Sequence, residues 1–410
     1  MFDSPSIVVG LDIGTSKICA TVGELNDSGG LNIIGLGQAK SRGVRKGEIV
    51  DLALTKDDIR DAVVEAEQMA DVEIRSVYLG VTGAHVTCFN NRGFHSIASH
   101  DREITEEDVQ DVLKNARAIN LPAENRTVHV IRQHFAVDGQ EHISNPVGMH
   151  GARVEVDVHV VHGHFNRLQN PIAAVRALQL DVDEVVFTGL ASSLALLTSE
   201  QKELGSIVID IGSGTTEYVV YAKGIIKHTG VLAVGGDHIS NDLAFGLKLP
   251  LGRAEQLKID HGSALVEESA KGQVITISND LGLPEKTINI EHLRRIMSAR
   301  IEEIFQLIAA ELDAAGVLDQ VREGVFICGG GARIPQIQRA ASMVFGMHAY
   351  IGKTNLMSGL KSALDQPEFA GAIGLARFGS FELKKRSEDR RPLLGIRSTL
   401  SQLLRPLTRG

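Results

Sequence analysis

An internal repeat constrains this chain more than any other feature. Val8-Val-Gly-Leu-Asp12-Ile-Gly14-Thr15-Ser16-Lys17 and Ile207-Val-Ile-Asp210-Ile-Gly212-Ser213-Gly214-Thr215-Thr216 share an apolar run, an Asp-Ile-Gly and a hydroxyl beyond it. Each continues into a second apolar run, Ile18 to Val22 and Tyr218 to Tyr221, so each predicts a β-hairpin, and the pair predicts two related halves. Glycine in such a turn lets backbone N–H groups approach an anion with no Cβ in the way, and Ser and Thr add hydroxyl donors. Asp210, and Asp12 in the matching turn, are the candidates to hold Mg²⁺. One such turn alone fits any hairpin with a glycine corner. Two facing a shared cleft would clamp a nucleoside triphosphate from both sides.

Two further glycine clusters extend the pattern. Gly235-Gly236 stands ahead of a helix, which suits close approach to phosphate, and Gly329-Gly330-Gly331-Ala-Arg333 ends a strand with bare backbone on which a flat ring can lie. The order of phosphate turn, phosphate turn and triple glycine resembles the actin, sugar-kinase and heat-shock chaperone superfamily of ATP-binding proteins. The resemblance implies an α/β, actin-like two-domain fold with duplicated sheet-and-helix cores around an ATP cleft. It implies that the triple-glycine loop supports the adenosine, with Arg333, and that Glu255 and Lys258 lie on the adenosine-side helix. Taken alone, those last two would read as an exposed i, i+3 ion pair.

The chain has 410 residues, 43% of them apolar, enough to bury a large core in two to four units. Its net charge of −9 argues against a general nucleic-acid binder. Residues 384–410 hold eight Lys or Arg against Glu388 and Asp389, a net of +6, so the rest of the chain carries −15. Cys19, Cys88 and Cys328 are far apart and odd in number, which fits a reducing cytosol rather than a disulfide framework. No basic-then-apolar leader is visible and no apolar run reaches membrane-spanning length, so neither secretion nor a transmembrane helix is expected.

In chain order, a polar connector (Ser41 to Asp51) precedes a helix expected to open at Thr55, with Asp57 and Asp58 in its first turn. Residues 83–164 change to alternating strands around one helix capped at Thr105, an inserted α/β subdomain in the first half. Its His159, His162 and His164 read as a strand continuation rather than a zinc site, because no Cys or fixed carboxylate partner is evident. Residues 1–82 and 165–204 form the first core (subdomain 1A, with the insertion as 1C). Residues 205–237 and 318–380 form the second (2A), and 238–317 its mostly helical insertion (2B). The small-residue helix from Phe369 is expected to pack on the triple-glycine strand. A charged linker, 381–391, is expected to lie outside the core.

The last stretch, 392–408, reads as an amphipathic helix with Leu393, Ile396, Leu400, Leu403, Leu404 and Leu407 along one side and Arg397 snorkelling beside them. With Leu394 and Arg405, these are the candidate membrane-contacting residues. A basic amphipathic helix beyond a linker suits an interfacial anchor on an anionic bilayer.

The tail, Ser41-Arg-Gly, Lys46-Gly47-Glu48, Asn145-Pro-Val-Gly148, Gly189-Leu-Ala-Ser-Ser193, Gly235-Gly-Asp-His-Ile-Ser-Asn241-Asp and the position of the first insertion narrow the resemblance to the FtsA family of bacterial cell-division proteins. That resemblance implies ATP with Mg²⁺, and actin-like filaments on the cytoplasmic face of the inner membrane at the septum. It implies tethering of the FtsZ ring, with the FtsZ tail received by 238–317 near Arg295, Arg300 and Glu303, and later division proteins meeting 83–164. Chaperones and bacterial actin carry a Glu-Pro, which helps activate the attacking water, where this chain has Gly189-Leu190. The departure points away from rapid hydrolysis.

Three alternatives are weaker. A small-molecule kinase of the same fold needs a carboxylate base that 189–193 does not supply. A chaperone ATPase needs a substrate domain after the core, and a pilus-assembly ATP-binding adaptor should lack the basic terminal helix.

Overall fold

The computed structural model describes residues 6–26, 30–97, 102–277, 286–354, 358–359 and 366–390. The anchor expected at 392–408 lies outside them.

The first repeat folds as a meander, β1 (Ser6–Ile13), β2 (Lys17–Leu25) and β3 (Leu31–Lys40). A short ribbon follows, β4 (Val44–Arg45) with β5 (Glu48–Ile49), and leads to α1 (Leu52–Ala70). The helix opens earlier than Thr55 because Asp51 caps it, accepting from Leu54 N at 3.0 Å. That places Asp58 inside, where Arg42 binds it at 2.5 Å. Next, β6 (Ser76–Val81) pairs parallel to β1.

The insertion comprises β7 (Thr87–Ser96), α2 (Glu106–Arg117), β8 (Asn125–Val137), β9 (Gln140–Ile143) and β10 (Arg153–His164), in a sheet of order β7-β10-β8-β9. Thr105 caps α2, as expected, in a capping box with Asp108. Val154, Val156, Val158 and Val160 form the insertion's own core against Val109, Val112 and Leu113 of α2. On the opposite face Glu155 and Asp157 stay partly exposed beside Arg92. His159 is buried between Asn90 Oδ1 (2.8 Å) and Thr229 Oγ1 (3.0 Å), and no metal-binding group of three or more ligands occurs among the described residues.

The chain returns through α3 (Phe165–Arg176), β11 (Asp181–Phe187), α4 (Thr188–Leu196) and α5 (Ser199–Leu204). The second repeat mirrors the first, with β12 (Ser206–Ile211), β13 (Thr216–Ala222) and β14 (Ile225–Leu232) as a meander. Its insertion holds α6 (Gly236–Gly246), α7 (Leu251–His261), a ribbon of β15 (Val274–Ile277) and β16 (Lys286–Asn289), and α8 (Ile290–Ala314). Then come β17 (Gly324–Cys328), α9 (Ile337–Phe345), β18 (Ala349–Ile351), β19 (Ser358–Gly359) and α10 (Ala370–Arg390). The two main sheets run β11-β6-β1-β2-β3-β19 and β14-β13-β12-β17-β18.

Two expectations fail at the C-terminal end. Although Gly329 N donates to Pro367 O (3.0 Å), so that the entry to α10 touches the triple-glycine loop, the helix body lies on β1, β2, β6 and α4. With β19 paired to β3, both β19 and the body of α10 join the first half rather than the second. The reason is close packing: a Cβ on Gly374 would stand 1.8 Å from Ala191 O, and one on Gly10 2.5 Å from Ala372 O. The segment expected as a linker continues the helix to Arg390, because Phe381 and Leu383 reach apolar partners and Glu382 is buried.

The helices α4 and α10 lie between the sheets. Leu190, Leu194, Leu375 and Phe378 join Val8 and Tyr78 of the first sheet to Val208, Val219 and Phe326 of the second in one cluster. Among the described residues no helix is long and apolar enough to cross a membrane.

Two outcomes follow from this packing. Helix propensity favours alanine over glycine by about 1 kcal/mol, but Gly374→Ala overpacks the α4 contact and should cost at least about 2 kcal/mol in urea denaturation. Gly252→Ala in α7, with open space around it, should be neutral or stabilising. Burial also holds His159 down to about 3 from 6.5, so as pH falls below 6.5 the unfolded chain takes a proton that the folded one refuses. Its contribution is complete above 6.5 and is lost on acidification towards 3. Between pH 6.5 and 5, His159→Gln should therefore weaken the acid-side fall in stability by about 1.4 kcal/mol per pH unit relative to the unmodified chain.

Candidate functional site

The two repeat turns are built alike. Gly14 N donates to Lys17 O at 3.0 Å and Gly212 N to Thr215 O at 2.9 Å, closing the hairpins β1–β2 and β12–β13 at the same place. They meet across the cleft. A Cβ on Gly214 would lie 2.5 Å from Thr15 Oγ1 and 2.8 Å from Lys46 Cα, so only glycine lets the second turn approach the first half this closely. The start of α6 is bound to the second turn, Gly236 N to Gly212 O (2.9 Å) and Asp237 N to Ser213 O (2.8 Å).

Between the halves lies a cleft of ≈ 630 Å³. It brings together Asp12, Gly14, Thr15, Ser16, Lys17, Asp210, Gly212, Ser213, Gly214, Thr215, Gly236, Glu255, Lys258, Gly329, Gly330, Gly331 and Arg333, nearly the whole set expected from sequence. Thr216 and Gly235 are not part of its lining. The Thr216 side chain points away, donating to Val234 O at 2.8 Å, because alternation along β13 turns it from the cleft. Of the three consecutive glycines only Gly330 faces open space. Gly329, at φ +79°, packs against Asp210, and Gly331 packs against Ile211.

At the far end, Lys258 Nζ binds Glu255 Oε2 (2.7 Å) and Gly236 O (3.1 Å), and Ser240 also bonds Glu255. The pair is thus tied to α6, with Lys258 largely buried and Glu255 still partly exposed. Arg333 binds Glu368 at 2.5 Å and Gln366 at 3.0 Å, joining the triple-glycine loop to the entry of α10.

The cleft concentrates negative charge. Burial, then Asp210, pushes Asp12 up to about 7, with Lys17 opposing. Burial also raises Asp210, against the bonds from Ser192 Oγ (2.5 Å) and Cys328. The Lys17 ammonium lies 3.8 Å from the Phe369 ring centre, its pKa lowered mainly by burial. Two half-buried carboxylates, one raised by the other, are what a hard divalent cation relieves, and oxygen donors are its preferred ligands. Asp12 and Asp210 therefore fit Mg²⁺, and the glycine turns with Lys17 fit the phosphates it would accompany.

Sequence reasoning missed Gln38, Thr82, Thr188, Glu217, Glu368 and Gly371, which also line the cleft. Glu217 carried a usable signal, an acid inside the wholly buried strand β13. Its pKa is raised well above the ordinary value by burial and then by Asp210. Thr82, from the other half, bonds its Oε1, as does Thr215 at 3.4 Å, while Oε2 is buried with no partner.

The residues expected for peptide binding lie on α8. Arg300 is paired with Asp242 (2.6 Å) and Glu303, and Arg295 with Glu291 (2.7 Å). Arg295 also lines an open groove of ≈ 470 Å³ with Lys248, Lys286 and His292.

Comparison with known proteins agrees with this architecture. The family described as "Cell division protein FtsA" matches residues 207–374, and "SHS2 domain inserted in FTSA" matches residues 83–162. The cell division protein FtsA of Pseudomonas aeruginosa is 35% identical over 385 residues, covering 94% of this chain and 91% of that protein. For Escherichia coli K12 the identity is 36% over 380 residues (91% and 90%), and for Borreliella burgdorferi 37% over 376 (92% and 91%). Among solved structures, the PilM-PilN type IV pilus biogenesis complex matches with a TM-score of 0.64 at 17% identity, covering 91% of this chain and 98% of that one. MreB5 of Spiroplasma citri bound to ADP matches at 0.55 and 15% identity, covering 93% and 98%. These last two show the actin-like fold alone. Because the FtsA relatives match nearly end to end, insertion included, the chain belongs to the FtsA family of bacterial cell-division proteins.

Proposed function

We propose that this protein binds ATP with Mg²⁺ in the cleft, polymerises as an actin-like filament on the cytoplasmic face of the inner membrane, and tethers the FtsZ ring there. The observation that carries the reading is the meeting of the two phosphate turns across the cleft: a ligand held by both joins the two halves in one closed shape. MreB5, of the same fold, was solved with ADP and with AMPPNP. Asp12 and Asp210 would hold the metal, which neutralises phosphate charge, while Lys17, Thr15, Ser213 and the turn amides orient the phosphates. Glu255, Lys258 and the open backbone at Gly330 serve the nucleoside end.

The groove lined by Lys248, Lys286, His292 and Arg295 suits an acidic peptide such as the FtsZ tail. Arg300, paired with Asp242 and Glu303, and Arg295, paired with Glu291, would exchange those partners for the peptide's carboxylates. The insertion at 83–164 is the surface for later division proteins. Each basic residue of the tail adds about 1 kcal/mol near an anionic leaflet, so one anchor binds weakly and a filament of anchors binds tightly.

Two measurements test this. Asp210→Asn removes charge from a crowded cleft yet keeps an acceptor for Ser192, so apo stability should hold or rise while ATP-dependent thermal stabilisation falls by at least about tenfold in affinity. Loss of both would make Asp210 a structural residue only. Co-sedimentation of FtsZ with anionic liposomes and ATP should require the full chain and fail when it ends after Arg391. FtsZ left in solution while this protein pellets would keep the anchor and remove the FtsZ assignment. Failure of both to pellet would remove the tether altogether.

A further inference from the structure

We propose that Glu217 is the catalytic residue that holds the attacking water for hydrolysis of the bound nucleoside triphosphate. The inference rests on the nucleotide reading of the cleft. The start of α4, where an acid would be sought, offers only Gly189 and Leu190. Yet a Cβ on Gly189 would stand 2.8 Å from the Phe187 ring and 3.2 Å from Glu217 Cβ, so β13 brings an acid of its own up against the start of α4.

The carboxylate is held from one side only. Its Oε1 takes the hydroxyls of Thr82 and Thr215, whereas Oε2 is buried beside the phosphate turns without a donor. A buried carboxylate oxygen is costly to leave unpaired, and native structures keep such groups where a ligand or water completes them. Thr215 belongs to the second phosphate turn and Thr82 ends β6 in the first half, so the acid is oriented by both halves at once. Its orientation is complete only when the cleft is closed.

In the reaction, the water oxygen bonds to the terminal phosphorus as the bond from that phosphorus to the bridging oxygen breaks. The electron pair leaves with the diphosphate. One water hydrogen is directed at Oε2, and the surplus proton leaves on the released phosphate. Glu217 thus supplies orientation, the part of phosphoryl transfer that a protein side chain provides.

The test uses the full chain with two readouts, AMPPNP affinity by calorimetry and phosphate release from ATP in a single turnover. Glu217→Gln keeps the acceptor for Thr82 and replaces Oε2 with a donor. It should slow phosphate release at least about tenfold while affinity stays within about threefold. Should that variant not fold, Thr82→Val, which frees Oε1 and leaves the carboxylate, must slow release with affinity kept. Unchanged release in either folded variant overturns the proposal, as does wild-type protein that binds AMPPNP but releases no phosphate. Absence of AMPPNP binding overturns the nucleotide reading and this inference together.

Discussion

The contact between α4 and α10 is the constraint on which the rest of the molecule hangs. No side chain fits where Gly374 meets Ala191, so the helices touch backbone to backbone, and this close pair is what the two sheets grip from either side. Both helices deliver groups to the cleft. Thr188 and Ser192 come from α4, and Gly371 of α10 sits against the Asp12 carboxylate. The two glycine turns are therefore positioned by a pair of helices that lie outside the cleft along most of their length.

The second organising force is electrostatic and opposes stability. Asp12 and Asp210, half-buried, and the buried Glu217 line one cleft, with Lys17 acting on both aspartates. A folded chain retains such an arrangement at a cost, and a cation with a polyphosphate is the natural counterpart. A ligand that offsets this repulsion is thereby linked to the folded form.

The sequence made the repeat, the turns and the first insertion legible because each depends on local chemistry: glycine at a corner, hydroxyls beside it, a change from helical to alternating pattern. The match to the inserted SHS2 domain spans residues 83–162. What was not legible depends on distant partners. Nothing in the small residues after Phe369 says which sheet they meet, since Gly374 acquires meaning only against Ala191. The charged run from Glu382 looked too polar to fold, yet Phe381 and Leu383 extend the helix by reaching a core built elsewhere. Glu217 is not legible because a hairpin acid ordinarily faces water, and only the packing around the cleft makes it an interior group. Thr216 looks equivalent to Thr215 in sequence, and only strand alternation separates them.

The docking of the first insertion on β14 has one more effect. β14 is the edge of its sheet, and its carbonyls at Ile226, Lys227 and Thr229 accept from Gln133 (2.5 Å), Asn90 (3.2 Å) and Cys88 (2.9 Å). Side chains of one half thereby occupy the row of acceptors that another molecule's strand would seek. The subdomain that extends the first half thus also covers one adhesive margin of the second.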